Sequence, residues 1–245
     1  MAHMAALGAA AFSAVLAGVV FAAARGEAST ARSSAFVRPD FEAAASEPAP
    51  VLLNLQRSWS RSELGEFARL SRDAEICREG LDRIGVKYER VSNRLDANGC
   101  GYSNAIALSS ATDANGEAMV MTCETAARFY LWQMQVVAPA AEKWLGSPVA
   151  DVTSLGTFSC RNVAGTHQLS KHASAMAVDV AGFRLADGRL ISVLKDYHDE
   201  GPKGRFLREI HEGACGLFDV TLGPDYNADH ANHFHLDTGG DHACR

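Results

Sequence analysis

The sequence predicts an α+β domain in which a small, mostly antiparallel sheet is flanked by helices. Segments with helical spacing of apolar residues alternate along the chain with short strand pairs joined by tight turns. Repeated strand–helix–strand units, which build parallel sheets, are not visible. Hydrophobic residues make up 47% of the 245 residues, which is enough for a buried core. These observations favour helices packed on hairpins over a parallel α/β fold.

The N-terminal part of the domain is predicted to be a helix followed by a strand pair. Apolar residues at helical spacing predict one helix over 62–85, and Gly85 is suited to end it. Two strand-like stretches follow, 87–92 and 102–110, with the turn-forming residues 96–99 between them. The turn residues predict that these two strands pair.

The longest helical pattern starts after Thr122, a good N-cap, and runs to about Leu145. Pro139 is expected to kink this helix, because proline lacks an N–H group and its ring crowds the preceding turn. The large apolar side chains of the helix are predicted to face the core: Phe129, Trp132, Val136 and Trp144. The remaining predicted elements are a strand over 149–160 and a hairpin of strands 176–185 and 189–194. They are followed by a helix over 204–214 and two short strands over 220–223 and 233–237.

The N-terminal part of the chain is predicted to direct export of the domain and to tether it, rather than to fold with it. Residues 5–24 carry no charge, are long enough to cross a bilayer and end in small residues that suit a signal peptidase. We therefore predict a signal peptide or membrane anchor over 1–24, with a buried soluble helix as the alternative. Residues 25–60 mix Ala, Ser, Pro and Arg without periodicity and are predicted to be a flexible linker, which leaves 61–245 as the domain.

Charge and cysteine content narrow the partners and the compartment. The formal net charge is -6 and no run of Lys or Arg occurs, which argues against binding to nucleic acid or to anionic lipid headgroups. None of the six cysteines forms a C-x-x-C pair, so disulfides are favoured over a structural zinc site. Disulfides form in oxidising compartments, which agrees with export. The spacing of the cysteines does not select a pairing.

Candidate metal ligands occur in two segments. In S-K-H-A-S-A-M-A-V-D, a His and an Asp lie seven residues apart, and Asp179 stands in an apolar run. A buried carboxylate is costly unless it is paired or coordinated, so Asp179 needs a partner. In H-A-N-H-F-H-L-D, His233 and His235 point to the same face of an extended chain, so one can bind a metal while the other stands beside it. Zinc accepts His nitrogen and Asp oxygen, and catalytic zinc sites combine three protein ligands with a position for water. A metal-free hydrogen-bonded cluster is the alternative.

These motifs resemble those of known zinc peptidases. The pattern S-x-H-x-x-A-x-A-x-D followed by H-x-x-H-x-H is similar to that of the LAS group, named for lysostaphin, D-alanyl-D-alanine peptidases and sonic hedgehog, and above all to its murein endopeptidase branch. Residues 77–245 more closely resemble the bacterial extensin-like C-terminal domain family, through SCRNVAG, SKHASAMAVDVAGF, LGPDYNADHANHFHLD and the final Cys-Arg. The resemblance implies a LAS-type, hedgehog/D,D-peptidase-like fold.

The resemblance also implies a ligand set and catalytic roles. It places Zn²⁺ on His172, Asp179 and His235. His233 then becomes the general base or proton shuttle, and His230 is a second active-site histidine. A histidine beside a zinc-bound water can take up its proton near neutral pH, so these implied roles agree with the chemistry of the residues.

Two further residues are implied to contact substrate. LAS carboxypeptidases place a Ser two residues before the first ligand and an Arg upstream, which correspond to Ser170 and Arg161. Arg161 has the planar, permanently charged group that binds a carboxylate or a developing oxyanion. A turn-capping role for Ser170 and a surface ion pair for Arg161 are the alternatives. The chain departs from the LAS pattern at Ala175, where Gly is usual.

The expected function is zinc-dependent hydrolysis of the peptide cross-links of peptidoglycan, of the D,D-endopeptidase type. Stem peptides of the wall are the expected substrate, and the periplasm is the expected location, with the protein either soluble after signal cleavage or anchored to the inner membrane. Two other functions would use the same site. One is a non-catalytic zinc module that binds the wall or another envelope protein, and the other is a D,D-carboxypeptidase.

Overall fold

Helices and short strands alternate along residues 52–112 and 116–245, the ranges that the computed structural model describes. The helices are α1 (Leu64–Arg72), α2 (Ala74–Arg83), α3 (Cys123–Trp132), α4 (Ala138–Leu145), α5 (Val193–Asp196) and α6 (Pro202–Ala214). The strands are β1 (Tyr88–Arg90), β2 (Arg94–Leu95), β3 (Gly101–Tyr102), β4 (Ala105–Thr112), β5 (Ala118–Thr122), β6 (Val149–Gly156), β7 (Ala177–Leu185), β8 (Leu190–Ser192), β9 (Val220–Leu222), β10 (Phe234–Asp237) and β11 (Ala243–Cys244).

The main sheet has six strands in the order β11-β9-β10-β7-β6, with β8 pairing the far end of β7. Every pair in it is antiparallel except β11 with β9. A three-stranded sheet, β1-β4-β5, and the two-stranded hairpin β2-β3 complete the strands. The α+β class and the mostly antiparallel sheet are thus confirmed.

The helix predicted over 62–85 is divided into α1 and α2 at Asp73. The backbone of Asp73 is extended, and its carboxylate accepts hydrogen bonds from the N–H groups of Glu75 and Ile76. An aspartate that caps a new helix competes with continuation of the old one, which is why periodicity alone predicted a single helix. Gly85 follows the end of α2 with a positive φ of 75°, as predicted for the stop.

The long helix predicted after Thr122 begins and ends as expected but is not uniform. The hydroxyl of Thr122 accepts from the N–H of Thr125, which confirms the N-cap. A π-helical segment, Gln133–Val137, separates α3 from α4. It lies where a regular helix would need the N–H that Pro139 lacks, so the predicted kink takes the form of a wider turn. Phe129 and Trp132 are buried, while Val136 and Trp144 pack against the core from its edge.

The folded part begins earlier than the predicted boundary at residue 61. Leu53, Leu55 and Trp59 are buried in the same core as the helices, and the ring of Trp59 meets that of Phe67 edge-on at 5.1 Å. Residues 52–60 therefore belong to the domain, and their apolar side chains were hidden from periodicity because they form no helix or strand. The remainder of the predicted linker, 25–51, and the predicted export segment, 1–24, lie outside the described residues.

Three disulfides pair all six cysteines, as the cysteine content predicted. They are Cys77–Cys123, Cys100–Cys160 and Cys215–Cys244. The first joins α2 to α3, and the second holds the β2-β3 hairpin against the segment that follows β6. In the part of the chain that the structure describes, no helix combines the length and hydropathy needed to cross a membrane.

Candidate metal centre

Three side chains from separate parts of the chain meet at one point on the main sheet. His172 Nε2 lies 3.1 Å from Asp179 Oδ1, and His235 Nδ1 lies 3.0 Å from the same oxygen. The two ring nitrogens are themselves 3.1 Å apart. All three residues are buried, with exposed fractions of 2%, 6% and 9% in chain order. The structure thus brings together the three residues predicted to hold zinc.

Strand pairing places Asp179 and His235. They lie directly opposite each other on β7 and β10, and opposite residues of an antiparallel pair project from the same face of the sheet. Ala177, two residues before Asp179, is fully buried on the same face and leaves room beside the carboxylate because its side chain is small. The pairing of β7 with β10, which the sequence did not predict, brings these two ligands to a common face.

A tight turn places His172. The 3-10 turn Lys171–Ser174 begins after Ser170 and ends at Ala175, whose φ of 54° is left-handed. The Ala175 carbonyl accepts from the N–H of Thr122, which fixes the turn against α3. Gly would adopt this left-handed conformation without strain, whereas the Cβ of Ala175 makes it unfavourable.

The outer nitrogen of each histidine ring is occupied by the protein. His172 Nδ1 donates to the Thr157 carbonyl at 2.7 Å, and His235 Nε2 donates to Asp237 Oδ2 at 3.2 Å. When the rings are neutral, each therefore turns a lone pair toward Asp179 rather than a proton. Two nitrogen lone pairs and a carboxylate oxygen that face one another repel unless a cation lies between them.

The pKa shifts in the metal-free cluster also indicate that positive charge is stabilised at this point. Burial opposes ionisation of Asp179, but its interactions with His172 and His235 outweigh it and hold the pKa of the carboxyl well below its usual range. Burial likewise opposes charge on His235, yet its bonds to Asp179 and Asp237 raise the pKa of the imidazole to about 9. Near neutral pH a proton on His235 therefore supplies positive charge that a metal ion would replace.

The donor set fits a zinc ion. Zinc binds His nitrogen and Asp oxygen at roughly 2.0–2.2 Å in a tetrahedral arrangement, which separates its ligand atoms by about 3.3 Å. The separations of 3.0–3.1 Å in the cluster are close to that value. Anchoring of each ring by a carbonyl or a carboxylate is the usual arrangement around zinc-bound histidines.

The two other histidines of the second motif border the cluster. His233 Nδ1 donates to Asn232 Oδ1 at 2.7 Å, so its Nε2 faces inward, 3.5 Å from Asp179 Oδ1. His230 ends a 3-10 turn, Ala228–His230, and its ring lies 5.2 Å from that of His233. Burial lowers the pKa of His233, and burial together with the nearby His233 and His235 lowers that of His230 to about 4. Both rings are therefore neutral near pH 7 and able to accept a proton.

The two predicted substrate contacts differ in their placement. Arg161 is half exposed at the mouth of the site, with Nη2 3.6 Å from Asp179 Oδ2. Ser170 is 5% exposed, and its hydroxyl accepts from the N–H of His172 at 3.3 Å. The Ser170 contact is the turn-capping role that the sequence left open, and it supports the first ligand.

Two clefts open on either side of the cluster. The hairpin cleft, about 450 Å³, is lined by Arg94, Tyr102, Val120, Phe158, His172 and Asp179. The histidine cleft, about 460 Å³, is lined by Leu169, Tyr226, Asp229, His230, His233 and His235. Arg161 borders both. The candidate centre therefore borders two clefts that share Arg161 as a lining residue.

The sequence interpretation missed the residues that orient the ligands. Asp237 follows His235 by two residues on a strand, and this same-face spacing was a signal that could have identified it. Thr157 contributes only its carbonyl oxygen, so its side chain gave no signal.

Comparison with known proteins gives one match. A family model described as the extensin-like protein C-terminus matches residues 75–245, which include the whole site and all six cysteines. No curated protein and no solved structure matches the chain significantly.

Proposed function

The chain belongs to the extensin-like C-terminal family, and from that premise we propose that it is an exported zinc hydrolase that cleaves the peptide cross-links of peptidoglycan. The buried meeting of His172, Asp179 and His235, with the inward-facing ring of His233 beside it, is the observation that supports the proposal most directly. The LAS-type fold and mechanism implied by the motifs are part of this proposal.

The ligand set proposed for zinc is His172 Nε2, Asp179 Oδ1 and His235 Nδ1. A zinc ion held by three protein ligands keeps a position for water and lowers the pKa of that water to about 7. The chain's own contribution is to hold these atoms together, with Thr157 and Asp237 fixing the ring orientations.

His233 is proposed as the general base. Asn232 fixes the proton of the neutral ring on Nδ1, which leaves the Nε2 lone pair facing the cluster. Its lowered pKa keeps the ring neutral, and hence able to accept a proton, at the pH of the cell envelope. His230 lies behind it as a second neutral ring that can relay a proton toward solvent.

Arg161 is proposed to bind the substrate. Its guanidinium is half exposed and stands where the two clefts meet, so it can donate to a peptide carbonyl or to the oxyanion that develops as the amide is attacked. Ser170 is buried, and its hydroxyl accepts a hydrogen bond from the backbone N–H of His172. We therefore propose that Ser170 acts by positioning His172 rather than by contacting the substrate.

The presence of two clefts beside the cluster supports an endopeptidase over a carboxypeptidase. A substrate cleaved at an internal bond continues on both sides of the reacting amide, and the clefts on either side of the cluster, about 450 and 460 Å³, give each side room. A carboxypeptidase needs only one such cleft and a closed wall beyond the terminal residue.

Export to the periplasm is proposed together with this function. Three disulfides suit an oxidising compartment, and the peptide substrate lies outside the cytoplasm. The proposal includes residues 1–24 as a signal peptide or an inner-membrane anchor.

The test is digestion of purified cross-linked muropeptide dimers, followed by mass spectrometry, with zinc and with a chelator. Wild-type protein is expected to release monomers only in the presence of zinc, and His233→Ala is expected to bind zinc but not to cleave. His242→Ala, an exposed histidine outside the site, is the matched control and should cleave normally. Dimers that stay intact at full zinc occupancy contradict the proposal, and retained binding of the dimers would then favour the non-catalytic wall-binding module.

A further inference from the structure

The loop 223–233, here called the histidine loop, carries both His230 and His233 between β9 and β10. Its residues are joined to one another by hydrogen bonds and a ring contact. Asn227 Oδ1 accepts from the backbone N–H and from Nδ1 of His230, and the ring of Tyr226 meets that of His230 edge-on at 5.4 Å. These contacts fix the histidines relative to the loop. They do not fix the loop relative to the sheet that carries the metal ligands.

The closest side-chain connection to the rest of the fold comes from the segment that follows α5. Tyr197, the residue after α5, donates from its hydroxyl to Asp225 Oδ2 at 3.0 Å. In the described part of the chain, no other side-chain hydrogen bond joins residues 224–232 to another element, and the ion-pair contact from His198 Nδ1 to Asp225 Oδ1 is longer, at 4.0 Å. Burial and the neighbouring Asp225 raise the pKa of Tyr197 to about 12, so the phenol keeps its proton and remains a donor.

Tyr197 is itself held firmly. It is 4% exposed, and its carbonyl accepts from Arg208 of α6 at 2.6 Å. Its ring packs edge-on against Phe234, which lies between His233 and His235 in the sequence, with centroids 5.8 Å apart. Tyr197 therefore contacts the chain both near the start of the histidine loop and just after its end.

His211 of α6 completes this support. Its ring lies 5.2 Å from that of Phe234 and 6.2 Å from that of Tyr197. A Cβ on Gly223, at the start of the loop, would stand only 2.9 Å from His211 Nε2. Both ends of the histidine loop thus rest on one buried pair of rings, Tyr197 and His211.

We propose that Tyr197 is a positioning residue: its hydroxyl holds Asp225 and so orients the histidine loop that presents His230 and His233 to the metal centre. The inference rests on the proposed roles of these two histidines. It predicts that loss of one hydroxyl loosens the loop without disturbing His172, Asp179 or His235, which lie on other elements or on the paired strand β10.

The primary test is Tyr197→Phe, with Tyr130→Phe as the matched control, because Tyr130 lies on α3 away from the loop. Hydrogen exchange is followed at four backbone amides that are hydrogen-bonded within the loop: Tyr226, His230, Ala231 and His233. A hydrogen bond to a charged group is strong enough that its loss should speed their exchange about tenfold or more. Exchange in α6 and β7, and zinc affinity, should stay within about threefold of wild type. The control should match wild type throughout.

A pair of variants at the acceptor sharpens the test. Asp225→Asn keeps an oxygen that accepts the hydrogen bond of the phenol but loses the charge, so its loop exchange should lie between that of wild type and that of Tyr197→Phe. Asp225→Ala should reproduce the fast exchange of Tyr197→Phe. Long-range imidazole spectra should show altered His230 and His233 signals only in the variants that lose the bond. If wild-type protein cleaves muropeptides, Tyr197→Phe and Asp225→Ala should lower kcat by about tenfold and leave KM within about threefold of the wild-type value.

Unchanged loop exchange in Tyr197→Phe overturns the proposal. So does an equal rise of exchange in α6, because that would show general loosening rather than positioning. If wild-type protein cleaves no muropeptide, the proposed function fails, but the exchange and imidazole measurements still decide whether Tyr197 orients the loop.

Discussion

Zinc affinity should depend steeply on pH, because zinc must displace a proton from His235. In the metal-free protein, burial opposes charge on this ring but the bonds to Asp179 and Asp237 raise its pKa to about 9. A metal ligand must be deprotonated, so each pH unit below about 9 weakens apparent affinity tenfold, or about 1.36 kcal/mol. Lowering the pH from 8.5 to 7.0 should therefore raise the apparent Kd about 30-fold, or roughly 2 kcal/mol. Asp179 adds nothing to this slope, since its pKa is held well below the range.

Competition with a coloured chelator of known affinity measures the Kd across this pH range. Asp237→Asn should flatten the dependence, because the variant removes one of the two carboxylates that hold charge on the ring. Asp241→Asn changes a more exposed carboxylate of the same cleft and should retain the wild-type slope. A wild-type Kd that varies by less than about threefold between pH 7.0 and 8.5 would refute the reasoning.

The same ring makes a second, opposite prediction for the metal-free protein. The folded-state pKa of His235 is raised above its ordinary value of 6.5, so its contribution to stability, roughly 3 kcal/mol, is complete below about pH 6.5 and lost as the pH rises through about 9. Calorimetry should thus show Tm of the metal-free protein falling over this range. The gain in Tm on adding zinc should grow over the same range.

Substitutions at Asp179, at one disulfide and at Ala175 test further parts of the structure. Asp179→Asn removes a ligand charge and should weaken zinc binding by more than the roughly 10–100-fold typical of outer-shell changes, as measured by the same chelator competition. Replacing Cys100 and Cys160 together by Ala opens a covalent loop of 60 residues and should lower the free energy of unfolding in urea by about 4 kcal/mol; a loss below about 1 kcal/mol would contradict the chain-entropy estimate. Ala175→Gly should change stability by less than about 1 kcal/mol, because relief of the left-handed backbone offsets the lost buried methyl group, whereas Ala175→Val should destabilise by about 2 kcal/mol or more in the same urea experiment.

The candidate ligands could be predicted partly from their residue types and spacing and partly from the resemblance of the two motifs to those of zinc peptidases. An isolated carboxylate in an apolar run demanded a partner, and the spacing of His233 and His235 put both on one face. The structure pairs the strands that carry Asp179 and His235, a contact that the sequence did not predict. Periodicity had no means of finding the turn that carries His172, since a 3-10 turn of four residues has no repeat to detect.

Other features depend on partners that lie far away in the sequence. The strands β5 and β11 are short and are defined by what they pair with, namely β4 and β9. The break at Asp73 was visible only as one polar residue within a helical pattern. Leu53, Leu55 and Trp59 looked like linker residues because burial of a non-helical segment leaves no periodic pattern.

The order of the disulfides along the chain has a consequence for how the protein matures. The bridges Cys77–Cys123 and Cys100–Cys160 interleave, because each spans one cysteine of the other. An oxidant that joins cysteines in the order in which they emerge makes Cys77–Cys100 first, which is not a native pair. The native pattern then requires thiol–disulfide exchange, which is slow without a catalyst. Production of the protein should therefore depend on a disulfide isomerase or a redox buffer. Protein trapped with consecutive cysteine pairs should lack the bridge that holds the segment before Arg161 against the β2-β3 hairpin.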